Sequence, residues 1–210
     1  MLKKIHRLTV IELDKDLIPI LKDHCTPCGE LTIHQADVLA FDFKQLHAKN
    51  LRIIGNLPYN ISTPLIFHLI TFAPLIQDMH FMLQKEVVDR LAAKPNTSEY
   101  GRLSIMAQYH CDITQLFDVP PSAFQPPPKV DSSIVRLIPY STLPYPAMDY
   151  ALFAALVKTA FNHRRKTLRN ALKEMIEDDA WVKLGIDHNQ RPEQLSLADY
   201  VNMSNHLKKV

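Results

Sequence analysis

Three short apolar runs, each ending on a polar side chain, constrain this chain more than any other feature. Leu8-Thr9-Val10-Ile11 ends at Glu12, the run from Leu31 to Ala36 ends at Asp37, and the run from Leu51 to Gly55 ends at Asn56. β-branched residues suit a pleated, half-buried surface, so each run reads as a strand. Between the first two, Leu17, Ile18 and Leu21 recur at helical spacing, and residues 14–24 read as a helix. Strand, helix, strand, short link, strand is the order of a parallel α/β sheet. Ligands of such sheets bind outside the carboxyl ends of the strands. Glu12, Asp37 and Asn56 stand at three such ends and are the candidates for the cofactor side of a site. An acid there can accept from the two hydroxyls of a ribose, and a second acid from a purine amino group. A lone acid in that place serves equally well as a helix cap or a solvated turn.

The third run leads directly into Asn56-Leu57-Pro58-Tyr59. A strand ending this way presents a side-chain amide, a backbone carbonyl ahead of a proline, and an aromatic face. The Asn56 oxygen and the Leu57 carbonyl can each accept one N–H of an adenine N6 amine. Tyr59 can stack on the ring. Pro58 fixes its φ and removes a donor, which stiffens the loop. A proline turn after a buried strand would use the same four residues.

Downstream, Tyr109 to Val119 and Ser132 to Tyr140 read as a pair of strands. Their connection, Pro120 to Lys129, carries prolines on both sides of Phe124 and is expected to be stiff and extended. Ser141 to Pro146 is a proline-rich hinge, so a division into residues 1–142 and 147–210 is expected. The charge is uneven across it. Residues 1–150 carry 14 Lys and Arg against 15 Asp and Glu, whereas residues 151–210 carry 10 against 7. Most of that basicity is Arg164, Arg165, Lys166, Arg169 and Lys173, within a stretch from Tyr150 to Ile176 that reads as one helix. Arg165, Arg169 and Lys173 then recur at i, i+4 and i+8 and form one basic stripe, which fits a phosphate backbone better than a solvated face.

No apolar run approaches the roughly 18 residues of a membrane span. Met1 to Arg7 lacks the apolar stretch of a signal peptide. The three cysteines, Cys25, Cys28 and Cys111, suit a reducing cytoplasm. Cys25 and Cys28 have redox or zinc-like spacing but no second pair, so a plain loop and no metal site are expected.

The segments LTVIELDKDL, GNLPYNIS, FMLQKEVVDRL, YGRLS, PPSAFQPPPKVDSSIVRL and AFNHRRKTLRN resemble those of the rRNA adenine N6,N6-dimethyltransferases. The resemblance runs from about Leu8 to the C-terminus and is strongest to the bacterial small-subunit enzymes. It implies a Rossmann-like class I methyltransferase sheet with a small C-terminal all-α, RNA-binding domain. It also implies S-adenosylmethionine as cofactor and dimethylation of two adjacent adenines near the 3′ end of small-subunit rRNA. The partner would be the immature small ribosomal subunit, with no membrane and no DNA. Asn56, Leu57, Pro58, Tyr59 and Phe124 would be the catalytic set, with Phe124 as the second stacking face. Glu12, Asp37 and Asn56 would hold the cofactor. Lys129, Arg164, Arg165, Lys166, Arg169 and Lys173 would meet RNA.

One departure stands out. The family places a strand and a Gly-x-Gly-x-Gly loop ahead of the strand that carries Glu12. Here Met1 to Arg7 precede that strand, and Gly29, Gly55, Gly101 and Gly185 include no Gly-x-Gly. The expectation is an N-terminally truncated methyltransferase domain whose first strand is missing, with poor hold on the methionine end of the cofactor. A non-catalytic rRNA-binding assembly factor and a DNA adenine methyltransferase are the alternative readings.

Overall fold

The computed structural model describes residues 6–162 and 166–209. It divides into two compact units, one of residues up to Ala48 with Thr63–Phe72, the other of Lys49–Ser62 with Ala73 onward.

The first unit opens with strand β1 (Arg7–Glu12), helix α1 (Leu17–Cys25) and strand β2 (Glu30–Gln35). The two strands pair in parallel, with Glu12 opposite Gln35. A parallel pair needs a crossover, and α1 supplies it. The pairing extends one step further, because the Ala36 amide donates to the Glu12 carbonyl at 3.1 Å. The inward side of this unit is aromatic. Phe41 and Phe43 are buried and pack edge to face with ring centroids 5.2 Å apart. Phe72 and His68 close on Phe43, and His68 Nε2 lies 2.9 Å from the Phe41 carbonyl. His68 and Phe72 come from helix α2 (Ser62–Ile70) and its end.

The second unit holds a four-stranded sheet in the order β3 (Leu51–Asn56), β4 (Ile76–Gln84), β6 (Ser132–Pro139), β5 (Cys111–Val119). β3 and β4 are parallel, and the other two pairings are antiparallel. Alternate residues of β4 and β6 supply its core: Met79, Phe81 and Leu83 with Val135 and Leu137 are all essentially inaccessible. Helices α3 (Lys85–Ala92) and α4 (Arg102–His110) add Val88, Leu91 and Ile105 to the buried set. Each such side chain contributes about 1.5–3 kcal/mol relative to exposure. Helices α5 (Tyr150–Phe161), α6 (Leu168–Leu172), α7 (Ala180–Leu184) and α8 (Leu197–Lys209) complete the unit around Phe153, Leu156, Trp181 and Tyr200.

The strand, helix, strand reading of the N-terminal part is what the chain forms, and the architecture is α/β. The described strands make two ladders: β1 pairs with β2 alone, and β3 with β4 alone. Two expectations are corrected. Tyr109 and His110 end α4 instead of opening β5, and the strand begins at Cys111. The helix expected from Tyr150 to Ile176 is not continuous. α5 stops at Phe161, and Thr167 is an extended cap ahead of α6. The physical reason lies in a segment distant in sequence. The amides of Leu168 and Arg169 donate to the carbonyls of Gln190 and His188, so the start of α6 is fixed by another segment.

Candidate active site

Asn56 is the last residue of β3, opposite Met82 in the ladder. Leu57 continues the pairing, its amide donating to the Met82 carbonyl at 3.3 Å. The Leu57 side chain is buried and folds back over Gly55, where an added Cβ would stand 2.8 Å from Leu57 Cδ2. A side chain at position 55 would press on the tip of the Leu57 side chain, which glycine leaves in place. With its amide bonded and its side chain buried, Leu57 has one backbone group left. Its carbonyl accepts no hydrogen bond among the described residues, and the exposed Asn56 amide has no partner among them either.

The turn then commits to α2. The Ile61 amide donates to the Pro58 carbonyl at 3.1 Å. Ser62, at the helix start and 2% exposed, donates its hydroxyl to the Tyr59 carbonyl at 2.9 Å. At the other end of Tyr59, its phenolic oxygen lies 3.4 Å from the hydroxyl of Ser132, the first residue of β6. The ring between these two fastenings is 42% exposed. An aromatic fixed at both ends with an open face is a stacking platform.

Phe124 sits half-buried on the loop between β5 and β6. A turn of 3₁₀ helix, Pro121–Ala123, precedes it, and its amide donates to the Pro121 carbonyl at 3.1 Å. The base of this loop is tied down. The Lys85 amide donates to the Asp131 carbonyl at 2.9 Å, and the Lys85 ammonium reaches Asp89 at 2.9 Å and Asp118 at 3.3 Å. The hydrogen bond to Asp89 raises the Lys85 pKa above its usual value, with the pair to Asp118 adding to it. Hydrogen bonding from Ser133, then from Gln115, holds the Asp118 carboxyl below the usual range. Lys129 is exposed.

In the first unit Glu12 ends β1, and Asp37 lies two residues past the end of β2. Each spends one oxygen on its own chain: Glu12 Oε1 accepts the Asp14 amide at 2.8 Å, and Asp37 Oδ1 accepts the Leu39 amide at 2.9 Å. The second oxygen of each has no partner among the described residues. Two open carboxylate oxygens on neighbouring parallel strand ends suit the hydroxyls and amino group of a nucleoside. They fit the nucleoside half of S-adenosylmethionine.

Arg164 and Arg165 lie outside the described residues. Lys166 is exposed in irregular chain, Arg169 is on α6, and Lys173 follows its last turn. Arg169 is not uncompensated: its guanidinium grips Asp178 through both oxygens, with Nε to Oδ1 at 2.9 Å. The described part of the expected stripe is Arg169 on a short helix and Lys173 just after it, with Arg169 paired to Asp178. Cys25 and Cys28 are free thiols flanking a 3₁₀ turn, and the Cys28 thiol donates to the His24 carbonyl. Among the described residues no cluster of three potential ligands could hold a metal ion, and no helix is long and apolar enough to cross a membrane. Sequence reasoning passed over Gly55, Ser62 and Ser132. The available signals were the glycine ahead of Asn-Leu-Pro-Tyr and the serine pair Ser132-Ser133 opening the last strand.

The architecture and the Asn-Leu-Pro-Tyr turn define an α/β methyltransferase. The chain belongs to the ribosomal RNA adenine dimethylase family, whose model matches residues 1–209. It is 58% identical over 203 residues to the ribosomal RNA small subunit methyltransferase A of Shewanella piezotolerans, covering 96% of this chain and 75% of that one. It is 57% identical over 205 residues to the protein of the same name from Pseudomonas syringae pv. tomato, covering 97% and 76%. Among solved structures, a dimethyladenosine transferase from Plasmodium falciparum superposes with a TM-score of 0.82 at 26% identity, over 99% of this chain and 85% of that one. The 23S rRNA methyltransferase ErmE shares the fold, with a TM-score of 0.74 at 19% identity over 96% and 82%. The chain is an rRNA adenine methyltransferase, and its family membership implies S-adenosylmethionine as methyl donor.

Proposed function

We propose that this chain carries out S-adenosylmethionine-dependent N6,N6-dimethylation of two adjacent adenines near the 3′ end of small-subunit rRNA, as a step of ribosome biogenesis in the cytoplasm. The observation that carries this reading is the pair of acceptors at the end of β3. The Asn56 side-chain amide and the Leu57 carbonyl have no partner among the described residues, beside an open tyrosine face.

An adenine N6 amine is a weak nucleophile because its lone pair is delocalised into the ring. When Asn56 Oδ1 and the Leu57 carbonyl each accept one of its protons, the nitrogen is drawn toward a pyramidal geometry and its lone pair is localised. Pro58 keeps the turn stiff. Tyr59 and Phe124 hold the base by stacking. Glu12 and Asp37 would hold the nucleoside of S-adenosylmethionine, which would supply an electrophilic methyl group. Positioning for in-line attack then provides most of the acceleration. The N6 cation formed is acidic and loses its proton to water. A base must leave its stack to be held this way, so loop or single-stranded RNA is the substrate.

In this reading residues 1–142 form the methyltransferase domain and residues 147–210 the helical RNA-binding domain. Lys129, Arg164, Arg165, Lys166, Arg169 and Lys173 face the phosphates of the immature small subunit. The test is methyl transfer from labelled S-adenosylmethionine to small-subunit rRNA and to duplex DNA, with nucleoside analysis of the products. N6,N6-dimethyladenine in the RNA alone supports the proposal. Transfer to the duplex points to a DNA enzyme, and RNA binding without transfer to an assembly factor.

A further inference from the structure

Ser132 is 1% exposed, yet its hydroxyl lies 3.4 Å from the phenolic oxygen of the exposed Tyr59. Its backbone is locked in place on both sides, opposite Gln84 of β4 and Val119 of β5. β4 also supplies the Met82 carbonyl that holds Leu57. The central strands of the sheet therefore grip the Asn56–Tyr59 turn twice, once through the Leu57 amide and once through the Tyr59 hydroxyl. The two grips serve different ends of the site. The first sets the acceptors, and the second sets the tilt of the stacking face.

The two methyl transfers make unequal demands on these grips. Before the first transfer N6 carries two hydrogens, and both acceptors can be used. After it N6 carries one hydrogen, so only one of the Asn56 and Leu57 acceptors can engage it. Stacking must then carry a larger share of the positioning. We infer that Ser132 is a positioning residue that acts through the Tyr59 hydroxyl, and that its effect falls mainly on the second methyl transfer, from N6-methyladenine to N6,N6-dimethyladenine. In that step the N6 lone pair forms the new N–C bond as the sulfonium C–S bond breaks. The thioether departs neutral, and the N6 cation gives its last proton to solvent. This inference rests on the dimethylation reading above and deepens it.

The experiment compares the wild-type chain with Ser132→Ala, Ser132→Thr, Tyr59→Phe and the Ser132→Ala/Tyr59→Phe double variant. One readout needs no activity: the ¹³Cζ resonance of Tyr59, assigned by its loss in Tyr59→Phe, reports the hydrogen bond at the hydroxyl. It should move in Ser132→Ala and return toward its place in Ser132→Thr. The second readout is the ratio of N6-methyladenine to N6,N6-dimethyladenine in rRNA at matched total methyl transfer. Ser132→Ala should raise that ratio by roughly fivefold, the factor one ordinary neutral hydrogen bond supplies. Ser132→Thr should restore it, and the double variant should match Tyr59→Phe. An unmoved ¹³Cζ resonance in Ser132→Ala overturns the inference whatever the activity. So does an unchanged ratio, or a loss of total transfer that threonine does not rescue. A resonance that moves as expected in Ser132→Ala, beside a wild-type chain that makes no N6-methylated adenine, overturns the dimethylation reading beneath it.

Discussion

Gly55 and Leu57 interlock: the Leu57 side chain occupies the space where any Cβ on Gly55 would stand, 2.8 Å from Leu57 Cδ2. Phe81, 3.4 Å from the same point, closes the other side. A methyl group at position 55 would press on the side chain of the residue whose carbonyl is one of the two acceptors. Gly55→Ala should push Leu57 outward and rotate its carbonyl. A stability loss of about 1–3 kcal/mol is expected from overpacking. Methyl transfer should fall by more than that loss explains. Denaturant melts and turnover measured on the same preparation separate the two effects, and equal turnover at reduced stability would show that the carbonyl is not used.

Glu12 and Asp37 each have one oxygen tied to their own loop and one open. Glu12→Gln and Asp37→Asn should keep the loops, since an amide oxygen still accepts. Each should weaken cofactor binding by roughly ten- to a hundredfold, in line with about 1.5–3 kcal/mol for a hydrogen bond to a charged group. Calorimetric titration with S-adenosylhomocysteine checks this. Unchanged affinity in both variants would leave the carboxylates as turn formers only.

The basic segment predicts a salt signature. Changing Lys166, Arg169 and Lys173 together to Ala should weaken RNA binding across sequences. Each lost phosphate contact lowers the salt slope by about 0.7–0.9. Arg169 already holds Asp178, so Asp178→Asn should free it and tighten RNA binding. Binding measured from low to moderate salt decides, and an unchanged slope in the triple variant would make this a solvated face.

His110 predicts a pH dependence. Burial lowers its pKa below the ordinary 6.5, with Nε2 3.0 Å from the Tyr150 hydroxyl. The folded state thus holds fewer protons on this group than the unfolded state over that interval. The stability from neutral His110 is fully present above pH 6.5 and is lost as the pH falls through the lower folded value. Thermal melts of the wild type should drop across that range, and His110→Phe should drop less steeply. Parallel curves would assign the effect to other histidines.

The N-terminal strand, helix, strand order and the Asn56–Tyr59 turn were legible because local pattern decides them: β-branched runs, helical spacing in Leu17 to Leu21, and a proline turn. What was not legible depends on partners distant in sequence. The start of α6 is set by the carbonyls of Gln190 and His188, which hold the Leu168 and Arg169 amides, and the helical pattern read from Tyr150 to Ile176 gave no sign of it. The same holds for Arg169, whose acid is Asp178 rather than a neighbour at i±4. Ser132 is 73 residues from Tyr59, and no periodicity links them.

The most direct measurement of the central claim is methyl transfer to small-subunit rRNA by the wild type and by Asn56→Ala, with RNA affinity determined in parallel. The Asn56 side chain is exposed and bonds to nothing among the described residues, so its loss should leave the fold and RNA binding intact. Removing one acceptor that acts in the transition state should lower the rate by about 10²–10³. Near-normal transfer by Asn56→Ala at unchanged RNA affinity would contradict the account.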